Sequence, residues 1–367
     1  MAGQQEYARS GVDYSVLDRV KREAIELAAA TAPLLAANGG VEISASRGSS
    51  AYVFQVRGLT LALVVEGLGT KSVLASDYLA KTGINRFADI ATDAVAAIVN
   101  DVVSVGAVPL VVTAYFSTGD ARWYGDEPRS RELLRGWQAA CREAGATWGG
   151  GESPALPGVV GADALELAGS AVGLVPEGRE PVLGARVAPG DRIVLLASSG
   201  LHANGASLAR RVVAEQPQGL LTLLPSGRTL GDALLDPSKL YASFVRELLG
   251  TEVVPTFLNG ITGHGFLKIM RAPADVRYVI HELPAVPEVL RFLASTLALS
   301  PAEAYSTLNM GAGYVAIVPP DGVEETMRVA AATGHVAIDA GEVVPGPRSL
   351  TIPSLDVRYE SADLQLG

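Results

Sequence analysis

The chain has a single cysteine, Cys141, so neither a disulfide framework nor a cysteine-based zinc site is available. Histidine is nearly as scarce: His202, His264, His281 and His335 are scattered without metal-ligand spacing. Positive charge is also in deficit, with 29 Lys and Arg against 39 Asp and Glu and a net charge of −10. That balance argues against a nucleic-acid backbone as the main partner. It also means that an anionic substrate needs locally placed cations or metal ions. No apolar stretch reaches the roughly 18 residues of a membrane helix before charge or glycine breaks it, so no membrane partner is expected. Glu6, Arg9, Asp13 and Asp18 precede any long apolar run; no signal peptide is visible, and a cytoplasmic protein is the expectation.

What is present is a globular composition, 49% apolar and 19% charged. A length of 367 residues suggests two domains. The cluster Pro176-Glu177-Gly178 to Pro189-Gly190 is the best boundary, which divides the chain into 1–175 and 176–367. Residues 1–12 read as an arm, and a helix is expected from Ser15 to Ala37, stopped by Asn38-Gly39-Gly40.

The apolar run Leu59–Val65 reads as a buried strand that ends in Glu66-Gly67-Leu68-Gly69-Thr70-Lys71. Free N–H groups, a hydroxyl and an ammonium at one point suit a phosphate. The spacing is neither a Walker A loop nor a dinucleotide turn, and an ordinary strand-to-helix turn explains it equally well. Residues 86–104 predict a helix with apolar positions Ile90, Ala94, Ile98 and Val102. Asp93 and Asn100 point almost the same way on it, with Asp101 beside them. A solvated helix face is one reading. The small apolar neighbours favour a helix packed on both sides, whose acids need Lys71 or a magnesium ion. Gly149-Gly150-Gly151-Glu152 reads as a turn, flexible or ligand-binding. Ser198-Ser199-Gly200 is another possible anion cradle; His202 beside it donates to a phosphate or simply caps its turn. Further helices are expected at Ser238–Leu249, capped by Ser238, and at Val323–Ala332. Several glycine-rich turns, acids on one helix and few cations suggest a nucleoside triphosphate held through Mg²⁺.

These turns, in this order, resemble the aminoimidazole ribonucleotide synthetase family (phosphoribosylformylglycinamidine cyclo-ligase). The likeness covers about residues 7–345. It rests on Gly67-x-Gly69-Thr70-Lys71, Asp93 with Val99-Asn100-Asp101, Gly150-Gly151-Glu152-Ser153, Ser199-Gly200-Leu201-His202-x-Asn204-Gly205, Ile261-Thr262-Gly263-x-Gly265-Phe266 and Asn309-Met310-Gly311. The resemblance implies an α+β chain: an N-terminal α/β domain whose sheet pairs across a homodimer into a barrel, and a C-terminal α/β sandwich. It implies ATP and Mg²⁺ as cofactors and a phosphorylated ribonucleotide as substrate. The amide oxygen of formylglycinamidine ribonucleotide would be phosphorylated, and an internal nitrogen would then close the ring. Catalytic roles would fall on Lys71, Asp101, His202 and Glu152. Gly67, Gly69, Thr70, Lys71, Asp93, Asn100, Gly150 and Gly151 would surround the nucleotide. Glu66, Asp93 and Asp101 would hold the metal, and Asn204 would lie with His202 near the substrate's phosphate or reacting end.

The chain departs from the family pattern at Glu66, where a shorter Asp is usual, and at residues 44–50, where a glycine-phenylalanine-glycine loop is usual. Ala114 and Ala155 stand where acids are usual, and His264, Lys268 and Met270 where Gly, Asn and Pro are. These changes make the pocket more cationic and leave open a sister activity on the same scaffold, such as a thiamine monophosphate kinase-like phosphotransfer.

Overall fold

The computed structural model describes residues 14–364; the arm expected at 1–12 lies outside them. Two mixed sheets organise the chain. The first draws on β1 (Gly40–Glu42), β2 (Tyr52–Val56), β3 (Leu59–Gly67), β4 (Val108–Thr118), β5 (Thr147–Glu152) and β6 (Leu165–Leu174), in the order β1-β2-β3-β6-β4-β5. The β2–β3 hairpin turns on Arg57 and Gly58, both at positive φ, as a two-residue connection that follows strand twist requires. β6 alternates buried and half-buried residues along its length, so one face of the sheet meets a core.

That core comes mostly from α3 (Phe87–Ser104), laid across the sheet, and α4 (Glu127–Ala144), packed on it. Earlier in the chain come the helices α1 (Tyr14–Ala29) and α2 (Lys71–Thr82). α3 buries Phe87, Ile90, Ile98 and Val102 on one stripe and also buries its opposite side, where Asp93 and Asn100 lie. α4 crosses it closely because position 136 is glycine; a Cβ there would stand 2.4 Å from the Ala88 carbonyl oxygen.

The second sheet contains β7 (Arg192–Ala197), β8 (Phe257–Gly260), β9 (Val276–Ile280), β10 (Ala312–Val318), β11 (Ala337–Pro345), β12 (Ser349–Ile352) and β13 (Val357–Glu360). Its order is β13-β12-β9-β11-β7-β10-β8. Every residue of β10 is buried, as expected of an interior strand covered on both faces. The chain is thus a two-domain α/β fold, one mixed sheet from residues 40–174 and the other from 192–360.

Three local expectations differ. The helix expected over Ser15–Ala37 is two helices, α1 and a short one at Ala32–Ala37. The Gly149–Glu152 turn is strand β5: a Cβ at Gly151 would lie 1.9 Å from the Ala114 carbonyl oxygen, so glycine admits close strand approach beside a bulge. The helix ending at Leu249 begins at Ala242 and not Ser238, because Ser238 is engaged elsewhere.

Candidate active site

The polar side chains of α3 go to two destinations. Asp93 and Asn100 point the same way, and what they meet is the segment 236–241 of the second unit. Asp93 Oδ2 lies 2.7 Å from Lys71 Nζ, with both side chains wholly buried. Its Oδ1 accepts from the Ser238 backbone N–H at 2.9 Å and from the Ser238 hydroxyl. Lys71 Nζ also donates to the Asp236 carbonyl at 3.0 Å. Asn100 donates to the Lys239 carbonyl and accepts from the Tyr241 N–H, each at 2.9 Å. Burial pushes the Asp93 carboxyl up, and Lys71 and Ser238 pull it back. Arg86, just before α3, adds ion pairs to Asp89 and Asp232 and a hydrogen bond to the Leu235 carbonyl. Together these bonds latch the two units along one helix.

Asp101, one residue beyond Asn100, turns about 100° away. Its carboxyl hydrogen-bonds to that of Glu66, on the inward face of β3. Burial raises both, and Glu66 is raised further by the Asp101 charge. The pair lies in a cleft of about 600 Å³ between the units. Lys21 of α1 and the strap Ser46–Ser50 border it on one side, Lys268 and Arg271 on the other. Burial first, then Arg271, pulls the Lys268 ammonium down to about 8, against the two carboxyls. Arg271 Nη2 donates to the Gly48 carbonyl at 2.7 Å and so ties the strap to the second unit. His264, at φ +70°, and Asn204 complete the rim. Burial, then Lys268, holds the His264 ring down at about 4.

The remaining expected residues lie apart from the cleft lining. In the Gly67–Thr70 turn, Leu68 N–H goes to the Leu167 carbonyl at 2.8 Å, and Gly69 N–H faces the Glu166 carboxyl. Thr70 Oγ1 sits 3.0 Å from Ser207 Oγ, across the unit boundary. His202 is buried at φ +62°, its Nε2 accepting from the Ser199 N–H at 3.2 Å. Burial, then Lys71 and Lys239, holds its ring down at about 3, so it is neutral. Gly150, Gly151 and Glu152 are exposed. The register runs Gly67, Ala168, Tyr115, Glu152, which places Glu152 three strands from β3, roughly 14 Å at ~4.8 Å per strand. It is out of step with inward-facing Glu66 and shares the outward face with exposed Tyr115.

Two family models match the chain in succession: AIR synthase related protein, N-terminal domain, over residues 48–175, and the corresponding C-terminal domain over 188–352. A phosphoribosylformylglycinamidine cyclo-ligase of Methanothermobacter thermautotrophicus is 30% identical over 335 residues, 90% of this chain and 92% of the relative. One of Streptococcus pneumoniae is 33% identical over 354 residues, 94% of this chain and 97% of the relative. The chain belongs to the AIR synthase family. Among solved structures, ThiL complexed with AMPPCP and TMP shares the fold, with TM-score 0.57 at 14% identity, over 85% of this chain and 90% of that one.

Of the metal trio that the resemblance implies, the structure brings Glu66 and Asp101 together and places Asp93 elsewhere. Asp93 is apart, its carboxylate used by Lys71 and Ser238. Among the described residues no group of three or more His, Cys, Asp or Glu converges on a metal position. The two carboxyls that do meet, Glu66 and Asp101, still suit magnesium, which is commonly held by one or two carboxylates with phosphate and water completing the shell. Sequence reasoning passed over Arg271, Lys21 and Glu166, and took Ser238 for a helix cap. Of the residues passed over only Glu166 carried a signal, a lone acid opening an otherwise apolar strand.

Proposed function

We propose that this AIR synthase family member is an ATP- and Mg²⁺-dependent cyclo-ligase that converts formylglycinamidine ribonucleotide to aminoimidazole ribonucleotide in purine biosynthesis. The observation that carries the reading is the inter-unit cleft, where the Glu66–Asp101 carboxyl pair faces Lys268 and Arg271, in a chain alignable almost end to end with named cyclo-ligases. The amide oxygen attacks the γ-phosphorus of ATP and ADP leaves; the internal nitrogen then attacks the imidate carbon and expels inorganic phosphate. Glu66 and Asp101 are the residues that would hold magnesium, which when bound neutralises charge on phosphate oxygens. The chain supplies position and charge rather than a nucleophile. Residues 1–175 would carry nucleotide and metal, and 176–367 the wall that receives the acceptor.

Lys71, Asp93 and Asn100 act in this reading as positioning residues. They anchor the start of α2, and with it the Gly67–Thr70 turn, against the second unit. Neutral His202 supports the turn that presents Asn204. A nucleotide phosphate at Gly69 displaces the Glu166 carboxyl from its N–H. Glu152, with Gly150 and Gly151, contributes from the outward face of the sheet, to a site shared with a second subunit. Support for that homodimer is the apolar outward face itself, with Val65 73% and Leu63 40% exposed beside Val111 and Tyr115.

ATP consumption with formylglycinamidine ribonucleotide, and rescue of a strain lacking this step, test the assignment. A folded protein that neither turns over nor rescues refutes it. The second reading, a phosphotransferase acting on another small molecule, draws support from His264 and Lys268 on the cleft wall. It would leave the γ-phosphoryl group of ATP on a stable product, where ring closure releases it as inorganic phosphate.

A further inference from the structure

Lys268 and Arg271 lie three residues apart on the 3₁₀ turn Gly265–Arg271, where residues i and i+3 eclipse and their side chains share one side. Both face the cleft. Among the described residues neither forms an ion pair within 4 Å, whereas Arg47, Arg86, Arg192 and Arg228 each pair directly with a carboxylate. Lys268 and Arg271 are each felt by Glu66 and Asp101 only at longer range. Two adjacent like charges that repel each other and lack a direct counter-ion are a cost to the fold, and an arriving anion relieves it. The surroundings reinforce this. Lys21, Lys268 and Arg271 outnumber Glu66 and Asp101 on the lining, in a chain whose net charge is −10. A cationic recess in an acidic protein concentrates anions where the rest of the surface repels them.

We propose that Lys268 and Arg271 form a phosphoryl-binding subsite on the second-unit wall of the cleft, which takes the dianionic phosphomonoester of the acceptor. Two cations side by side match a dianion better than a single carboxylate. Arg271 keeps one guanidinium nitrogen on the Gly48 carbonyl, so the strap is fixed to the same residue that would meet the phosphate. Glu66 and Asp101 line the same cleft and would hold a divalent ion there. The choice of a phosphomonoester rests on the function proposed above; the anion subsite itself does not.

The test is calorimetric titration of the full chain with ribose 5-phosphate and, separately, with an ATP analogue and Mg²⁺. Wild type is compared with Lys268→Met and the charge-keeping Lys268→Arg, each checked for an unchanged melting profile. Lys268→Met is expected to weaken ribose 5-phosphate by at least about tenfold, the loss of one charge-assisted contact, with the analogue unchanged and Lys268→Arg close to wild type. Loss confined to the analogue keeps the phosphoryl subsite and moves its source to the nucleotide. Equal binding of both ligands by wild type and Lys268→Met overturns the subsite while leaving the cyclo-ligase reading intact. A wild type that binds neither ligand overturns both. Should Lys268→Met unfold, Lys268→Gln read against the same two ligands decides in its place.

Discussion

Asp93→Ala is expected to be among the most destabilising single changes in the protein, although an acid on a helix near a nucleotide turn suggests an active-site residue. The substitution leaves the Lys71 ammonium wholly buried with one carbonyl, that of Asp236, as its partner. It also frees the Ser238 N–H. Stripping one member from a buried pair costs about 3–5 kcal/mol, because the surviving charge is uncompensated. With an unfolding entropy of about 2.1 cal/mol/K per residue, a cooperative chain of this size loses roughly 4–6 °C in Tm. Lys71→Met is milder, since Asp93 keeps both Ser238 donors. Lys71→Met with Asp93→Leu recovers part of the loss, because an apolar pair leaves no buried charge. Differential scanning calorimetry on the three variants reads this order directly. If both single variants melt within about 1 °C of wild type while ATP affinity falls sharply, Lys71 spends its charge on a ligand and the latch is refuted.

Other consequences are open to measurement. His335 packs on Tyr241 and Phe244, and burial holds its ring down at about 4. A histidine kept neutral in the fold takes up its proton only on unfolding, so its contribution is present above about pH 6.5 and is lost as pH falls towards 4, at up to about 1.4 kcal/mol per unit. The stability of His335→Phe relative to wild type, from urea melts at pH 7 and pH 5, is therefore expected to improve at the lower pH; a pH-independent difference contradicts the burial argument. Gly136→Val drives a side chain into the Ala88 backbone and is expected to cost at least about 2 kcal/mol, seen as a lower urea midpoint. Val65→Lys places a charge on the exposed sheet face and is expected to shift sedimentation from dimer to monomer; a wild-type monomer at micromolar concentration removes the dimer proposal.

The elements were readable where periodicity and breakers agreed. The helices expected at 86–104 and 323–332 are found at Phe87–Ser104 and Val323–Ala332. Gly149–Gly151 misled because glycine signals a turn and a tight strand approach alike, and only the neighbouring strand decides between them. At the site, helical geometry put Asp93 and Asn100 on one side with Asp101 beside them, whereas in the structure Asp101 turns away from that pair and lines the cleft with Glu66. Helical geometry could not say that the side of Asp93 and Asn100 would meet protein, because the partner segment lies about 140 residues away. Long-range pairings of that kind leave no local trace. Arg271 was silent for the same reason, since its carbonyl partner is Gly48.

The latch along α3 also bears on how ligands bind. A cleft formed by closing two mobile domains must meet the entropy of ordering them each time a ligand arrives. Here Lys71, Asp93, Asn100 and Arg86 join the walls in the free protein, so that ordering is already met when the chain folds. Ligand contacts are then free to act on orientation, and loosening the helix contacts weakens binding at a distance. Side chains of the latch thereby hold part of a ligand's affinity.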